Sequence, residues 1–282
     1  MFVVQPVKAQ TEADALAAIK LATNPTTKLA AAEDFIAKFP QSHARLAVAE
    51  QIATEIAKIK NGEVALALLD RAQAVFTTTE ERDVLKPVAL TAYVLGDHAD
   101  EAFALASELV AKNPNDLAVL VRMTQLGADE ARKRNRKYAD VSLQYGLKAI
   151  ALLEADKKTD NLGQLYQQTA ILYLAGGNTD EAKSRLEKAT KLSPQDPGNF
   201  ALLGRVINAD YVAQLKTLPE GQATQLLDRV IENYAHAAAL ATGRAAYQIL
   251  LQQLIPDLTT YYKQRHNGST NGLQQLINQY KP

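Results

Sequence analysis

The fold is decided by a stretch in the second half of the chain, which reads Tyr173-Leu174-Ala175-Gly176-Gly177-Asn178-Thr179-Asp180-Glu181-Ala182 and is followed by Leu186, Ala189 and Pro194. The tyrosine precedes the alanine by nine residues, and that alanine precedes the proline by twelve. The same two intervals recur at Tyr93, Ala102 and Pro114. This spacing predicts a helical hairpin: a first helix with the tyrosine, a Gly-Asn or Gly-Asp turn, a second helix with small residues on one face, and a proline stop.

The composition argues against several classes of protein, including disulfide-bonded and membrane-spanning proteins. The chain has 282 residues, 47% of them apolar, and its 31 basic and 31 acidic residues cancel. No global field therefore draws it toward nucleic acid or anionic lipid. The absence of cysteine excludes disulfides, thiolate metal sites and cysteine nucleophiles. No apolar run approaches the ~18 residues that a membrane-spanning helix needs.

The chain divides into three predicted segments. Residues 1–10 are interpreted as a disordered tail or as the remnant of an export signal, since Val7 and Ala9 are small residues placed as a signal peptidase requires. Residues 11–236 are predicted to form about six hairpins, and residues 237–282 a helical cap. The possible signal remnant and the lack of cysteine favour an exported bacterial protein, periplasmic or secreted, with a cytoplasmic location as the alternative.

Local signals place the helix ends. Short polar caps are predicted at Thr11 and at Thr77 with Glu80, where the hydroxyl accepts a hydrogen bond from an unpaired backbone N–H. A long connection is expected over 208–221. A break or kink is expected at Pro256, because proline cannot donate to the helix behind it.

With these residues in hand, the chain resembles the tetratricopeptide repeat family. The residues that carry the resemblance are Tyr166, Ala170, Tyr173, Ala182, Leu186, Ala189, Pro194, Phe200 and Gly204. The Tyr93 unit matches over its second half and departs in its first half, where Lys86 and Pro87 stand at the aromatic position. The resemblance implies an all-α fold: a right-handed superhelical array of antiparallel helix hairpins, closed by a C-terminal capping helix.

The resemblance also implies a binding surface. In such arrays the first helices line a concave groove that receives a peptide. The matching positions here are Thr91, Val94, Val121, Gln125, Gln164, Gln167, Ile171, Arg205 and Asn208. They lack the Lys, Asn and Arg set that grips a chaperone's carboxylate tail, so a neutral peptide or protein surface is the expected partner. The alternative that these residues are simply exposed stays open.

One charged cluster supports an alternative function. Arg132-Lys133-Arg134-Asn135-Arg136-Lys137 places five cations in six residues, which suits phosphate binding on nucleic acid. The competing interpretation is a solvated helix end, and interleaved aromatic residues are missing apart from Tyr138.

Catalytic and metal signatures are absent from the sequence, and the four histidines lie far apart. We therefore expect a non-catalytic protein-binding scaffold without metal or cofactor, and nucleic acid only as the alternative partner.

Overall fold

The computed structural model describes residues 10–281, which are mostly α-helical and include no β-strand. Most of the predicted tail at 1–10, with Val7 and Ala9, lies outside the described residues. The described helices are α1 (Glu12–Leu21), α2 (Pro25–Lys38), α3 (Arg45–Ile56), α4 (Gly62–Val75), α5 (Thr79–Leu95), α6 (Ala99–Lys112), α7 (Leu117–Arg132), α8 (Ala139–Ala155), α9 (Leu162–Ala175), α10 (Thr179–Leu192), α11 (Pro197–Gln214), α12 (Glu220–Ala241), α13 (Gln248–Arg265) and α14 (Leu273–Gln279). A 3₁₀ turn, Ala245–Tyr247, precedes α13. The prediction of an all-α array of helix hairpins is confirmed.

The first compact unit contains α1 to α6 and ends at Lys112. Consecutive helices pack against each other, and α2 also packs on α4 and α3 on α5. Its core combines large side chains such as Phe35 and Phe76 with fully buried alanines such as Ala72. Methyl-sized contacts let neighbouring helices approach closely, while the rings fill the space between them.

The second compact unit begins at Asn113 and contains α7 to α14. Helices α7 and α9, the first helices of two successive hairpins, pack together, and α12 packs on α11, α13 and α14. Glycine permits a close approach between α11 and α12, where a Cβ at Gly204 would lie 2.5 Å from Cδ1 of Tyr234. The short α14 buries Ile277 in the same core as Tyr234.

The two tyrosine-bearing hairpins turn in the same way. The N–H of His98 donates to the carbonyl of Tyr93 at 2.9 Å, and the N–H of Asn178 donates to the carbonyl of Tyr173 at 2.9 Å. In each turn the residue before the donor has a left-handed backbone, Asp97 with φ 62° and Gly177 with φ 81°. This geometry closes the carbonyl end of the first helix. Asp97 and Gly177 therefore occupy the same position of the turn, and His98 takes the place of Asn178.

The helix caps agree with the sequence at one site and shift at another. Thr11 and Asp14 form the predicted capping box of α1. The box at α5 is formed by Thr78 with Glu81, one residue later than predicted. Consecutive threonines and glutamates make both registers available, and the later one lets the Glu81 carboxylate reach the guanidinium of Arg45.

Two expectations about helix ends need correction. Helix α13 continues through Pro256, so the proline does not break the helix there. The carbonyl that loses its partner belongs to Gln252, which is exposed, so solvent can satisfy it. The expected connection over 208–221 is largely helix, because α11 runs to Gln214 and buries Tyr211. Residue 236, the predicted division between the array and the cap, lies within α12.

Candidate functional site

The predicted groove positions of the second unit lie on its first helices α7, α9 and α11. Gln125, Gln164 and Arg205 are exposed, whereas Val121, Gln167 and Asn208 are half-buried. On each helix the two positions lie three or four residues apart, so their side chains share one face of that helix. Together these faces carry amides, an aliphatic group and one guanidinium.

Gln167 is held in place rather than free. Its Nε2 donates to Oδ1 of Asn199 at 2.6 Å and to Oδ2 of Asp196 at 3.3 Å. Asn199 is buried and in turn donates to the carbonyl of Ala189 at 3.2 Å. Asp196 caps α11 by accepting from the N–H of Gly198. These bonds tie the middle of α9 to the start of α11, and the sequence pattern does not reveal that role for Asn199.

The α11 positions differ from each other in how well their polar atoms are satisfied. Nη2 of Arg205 donates to Oε1 of Gln253 on α13 at 3.2 Å. Oδ1 of Asn208 is buried and accepts no hydrogen bond from the described residues. A buried acceptor without a donor costs roughly 1–3 kcal/mol. The same holds for Oε1 of Gln168, a residue of α9 that no sequence signal marks as buried.

Ile171 does not line an open surface. It is only 8% exposed and packs in a small core with Ala128 of α7, Ala139 of α8 and the partly buried Leu202 of α11. The repeat register describes the direction of a side chain but not whether a neighbouring helix covers it.

The first unit contributes the remaining two predicted positions, Thr91 and Val94 on α5. Both are half-buried. Oγ1 of Thr91 donates to the carbonyl of Pro87 at 3.0 Å, within the same helix.

The basic cluster 132–137 forms the end of α7 and the turn after it. Arg132 pairs with Asp129 at 2.5 Å, and Lys133 pairs with the buried Glu130 at 2.9 Å. Asn135 also donates to Glu130. Arg134 has a left-handed backbone with φ 69° that ends the helix. Part of the positive charge is therefore neutralised locally, which weakens the case for a phosphate-binding patch.

The aromatic repeat residues of α9 form a compact cluster with their neighbours. Tyr166 is 2% exposed, and its hydroxyl donates to the carboxylate of Glu154 on α8. Arg185 of α10 lies 5.5 Å from the Tyr166 ring centroid and 5.8 Å from that of Tyr173. Burial, together with the hydrogen bond to Glu154, raises the pKa of Tyr166 to about 12. This phenol therefore remains protonated at neutral pH.

Comparisons with known proteins find similar structures but no similar sequence. No protein-family model and no curated protein matches the sequence. A thermophilic TPR protein of Thermus thermophilus, TTC0263, is 17% identical with a TM-score of 0.44, over 75% of this chain and 99% of that one. PilF of Pseudomonas aeruginosa is 14% identical with a TM-score of 0.45, over 83% and 97%. Yeast Tom70 is 18% identical with a TM-score of 0.47, over 95% of this chain and 56% of that one.

The packing of the chain's own helices supports the hairpin fold independently of these comparisons. Ala182, Leu186 and Ala189 of α10 are all fully buried, and α10 packs along α9, which carries Tyr173. These buried positions fit the hairpin packing that the tetratricopeptide resemblance implies. The described helices include none long and apolar enough to cross a bilayer. Residues 10–281 also contain no group of three or more His, Asp or Glu side chains arranged to hold a metal ion.

Proposed function

We propose that the chain is a non-catalytic scaffold that binds an uncharged peptide or protein surface through the α7, α9 and α11 face of its second unit. The observation that carries the proposal is a pair of exposed amide side chains, Gln125 of α7 and Gln164 of α9, on two helices that pack against each other.

The chemistry of these side chains supports the same type of partner. The exposed amides of Gln125 and Gln164 each offer both a donor and an acceptor, which suits an extended peptide backbone. Arg205 is the one charge among the six positions, and Gln253 already engages it. A strongly charged ligand would find little to pair with here.

Site-specific photo-crosslinking in the native cell tests this proposal. A photoreactive residue is placed at Gln125 or Gln164, and at the exposed Lys191 of α10 as the matched control. We expect the two groove positions to give the same adduct and Lys191 to give none. An identical adduct pattern at all three positions, or no adduct at the groove positions, would refute the proposed face.

The proposed location is outside the bacterial cytoplasm, as the composition and the Val7 and Ala9 positions suggest. Cell fractionation with an antibody against the native protein tests it. Recovery with cytoplasmic markers would contradict it.

A further inference from the structure

The two tyrosine-bearing hairpins can be compared position by position, because they are offset by eighty residues. Tyr93 corresponds to Tyr173, and α6 (Ala99–Lys112) corresponds to α10 (Thr179–Leu192). In the first unit α5 packs against α4 and α6, and in the second unit α9 packs against α8 and α10. Each tyrosine-bearing helix therefore forms the floor of a space between two flanking helices.

In the second unit this space is filled by the chain's own side chains. Tyr166 of α9 is almost completely buried, and its hydroxyl donates a hydrogen bond to Glu154 of α8. On the other side, Arg185 and Lys188 of α10 lie 5.5 and 5.1 Å from the ring centroid. An aromatic ring, a hydrogen bond on one wall and cations on the other thus occupy the space.

In the first unit the corresponding space is open. A cavity of about 570 Å³ lies there, with Gln73 of α4 on one wall and Arg82, Lys86 and Tyr93 of α5 on the floor. Glu101, Leu105 and Glu108 of α6 form the other wall. This volume is within the range of small-ligand sites. It is large enough to admit one phenol ring.

Most lining residues differ from their counterparts eighty residues later, and three of these differences remove the groups that fill the second unit. Lys86 replaces Tyr166, Leu105 replaces Arg185, and Glu108 replaces Lys188. Nζ of Lys86 is paired with Oδ1 of Asp83 at 2.8 Å and Oε1 of Glu108 at 2.5 Å. No aromatic side chain stands at position 86 to fill the space. The cations of the lining, Arg82 and Lys86, both stand on α5, and the α6 wall carries none at position 105 or 108.

We propose that this groove between α4 and α6 binds a tyrosine side chain of a partner peptide that carries a basic residue next to the tyrosine. The ring takes the place that Tyr166 occupies in the second unit, and Gln73 offers an acceptor for its hydroxyl where the second unit uses Glu154. The neighbouring cation takes the place of Arg185 and meets Glu101, whose side chain is 52% exposed. The groove uses α5 positions other than Thr91 and Val94, so the inference does not depend on the proposed function.

The probe is a short peptide with 3-fluorotyrosine between two arginines, observed by ¹⁹F NMR as the full chain is added. Control peptides replace the fluorotyrosine by fluorophenylalanine, or the arginines by glutamine. We expect line broadening for the probe, with at least threefold weaker binding for each control peptide. Equal binding of the glutamine peptide, or no broadening at millimolar protein, would overturn the proposal.

Protein variants locate the site. The double variant Lys86→Tyr with Leu105→Arg gives the first unit the residues that fill the second, and it should weaken binding at least tenfold. If that variant fails to fold, Ala104→Arg obstructs the same wall from an exposed position. Ser107→Arg, exposed on α6 but outside the groove, is the matched control and should bind as the native chain does.

Two further outcomes would overturn the proposal. Unchanged binding by the filled or obstructed variant would place the peptide elsewhere. Self-association of the native chain in sedimentation velocity, lost in the Ala104→Arg variant, would show that the groove takes a second copy of the chain instead.

Discussion

The ion pair between Arg45 of α3 and Glu81 of α5 should contribute strongly to the stability of the first unit. Nε of Arg45 lies 2.7 Å from Oε1 of Glu81, and Nη2 lies 3.1 Å from Oε2. The Glu81 side chain is 2% exposed and that of Arg45 is 14% exposed. Replacing Arg45 with Met keeps much of the side-chain length but leaves a buried carboxylate without its countercharge.

The chain offers a matched comparison. Arg71 pairs with Glu33 through the same two-bond geometry, at 2.9 and 2.7 Å, but these side chains are 40% and 31% exposed. Removing one partner of a buried pair costs about 3–5 kcal/mol. An exposed pair contributes about 0–1 kcal/mol. Arg45→Met should therefore lower the free energy of unfolding by about 3 kcal/mol and Arg71→Met by less than about 1 kcal/mol.

The assay is urea unfolding followed by far-UV circular dichroism at pH 7 and at pH 4. Burial alone would raise the pKa of Glu81, but the hydrogen bonds from Arg45 and Thr78 outweigh it and hold that pKa below its usual value. Because the folded-state pKa is depressed, this stabilisation is present above the unfolded value of about 4.3 and is lost as pH falls through the folded value. The deficit of Arg45→Met should shrink at pH 4, where its carboxyl is protonated. Equal costs for the two variants, or a deficit independent of pH, would refute the reasoning.

Four further outcomes are expected. Asn208→Leu should raise the free energy of unfolding by about 1 kcal/mol, because it removes a buried acceptor without a donor among the described residues; chemical denaturation measures this. Gly127→Ala should cost roughly 1–3 kcal/mol in the same assay, since its Cβ would lie 1.9 Å from Oγ of Ser142. Burial lowers the pKa of His236, so the unfolded chain takes up the proton first and the native protein should lose stability as pH falls below about 6.5. His236→Phe should reduce that loss in thermal melts across this pH range. The cluster 132–137 should give no salt-dependent gel shift with duplex DNA, and a shift that Gln replacements abolish would favour the nucleic-acid alternative.

The hairpins could be predicted from the sequence because their signals are local. Tyr173 on α9 and Ala182 on α10 are separated by a single short turn. The two helices can therefore pack closely where the small methyl group of Ala182 faces α9. The shift of the α5 cap from Thr77 to Thr78 could not be predicted from local signals. Two registers were equally good locally, and a contact with Arg45, distant in sequence, decides between them.

The candidate face could be predicted only in part. Helical register gives the direction of each side chain, and six of the seven second-unit positions remain at least partly exposed. Burial of Ile171 depends on Ala128 and Ala139, which come from two other helices. The continuation of α13 through Pro256 depends on solvent access to the exposed turn before it. Neither fact is encoded within a single helix.

A comparison of Tyr166 with Lys86 shows that the residues that form the hairpin differ from the residues that fill the space beside it. Ala102 and Ala182 are both fully buried, and the turns after Tyr93 and Tyr173 share the same hydrogen bond. The hairpin therefore forms whether position 86 or 166 carries a ring or an ammonium group. Since the residues that fill the space between flanking helices are not those that build the hairpin, one repeat can close the space and the other can leave it open. Filling the open groove with Lys86→Tyr and Leu105→Arg should accordingly change binding with little loss of stability.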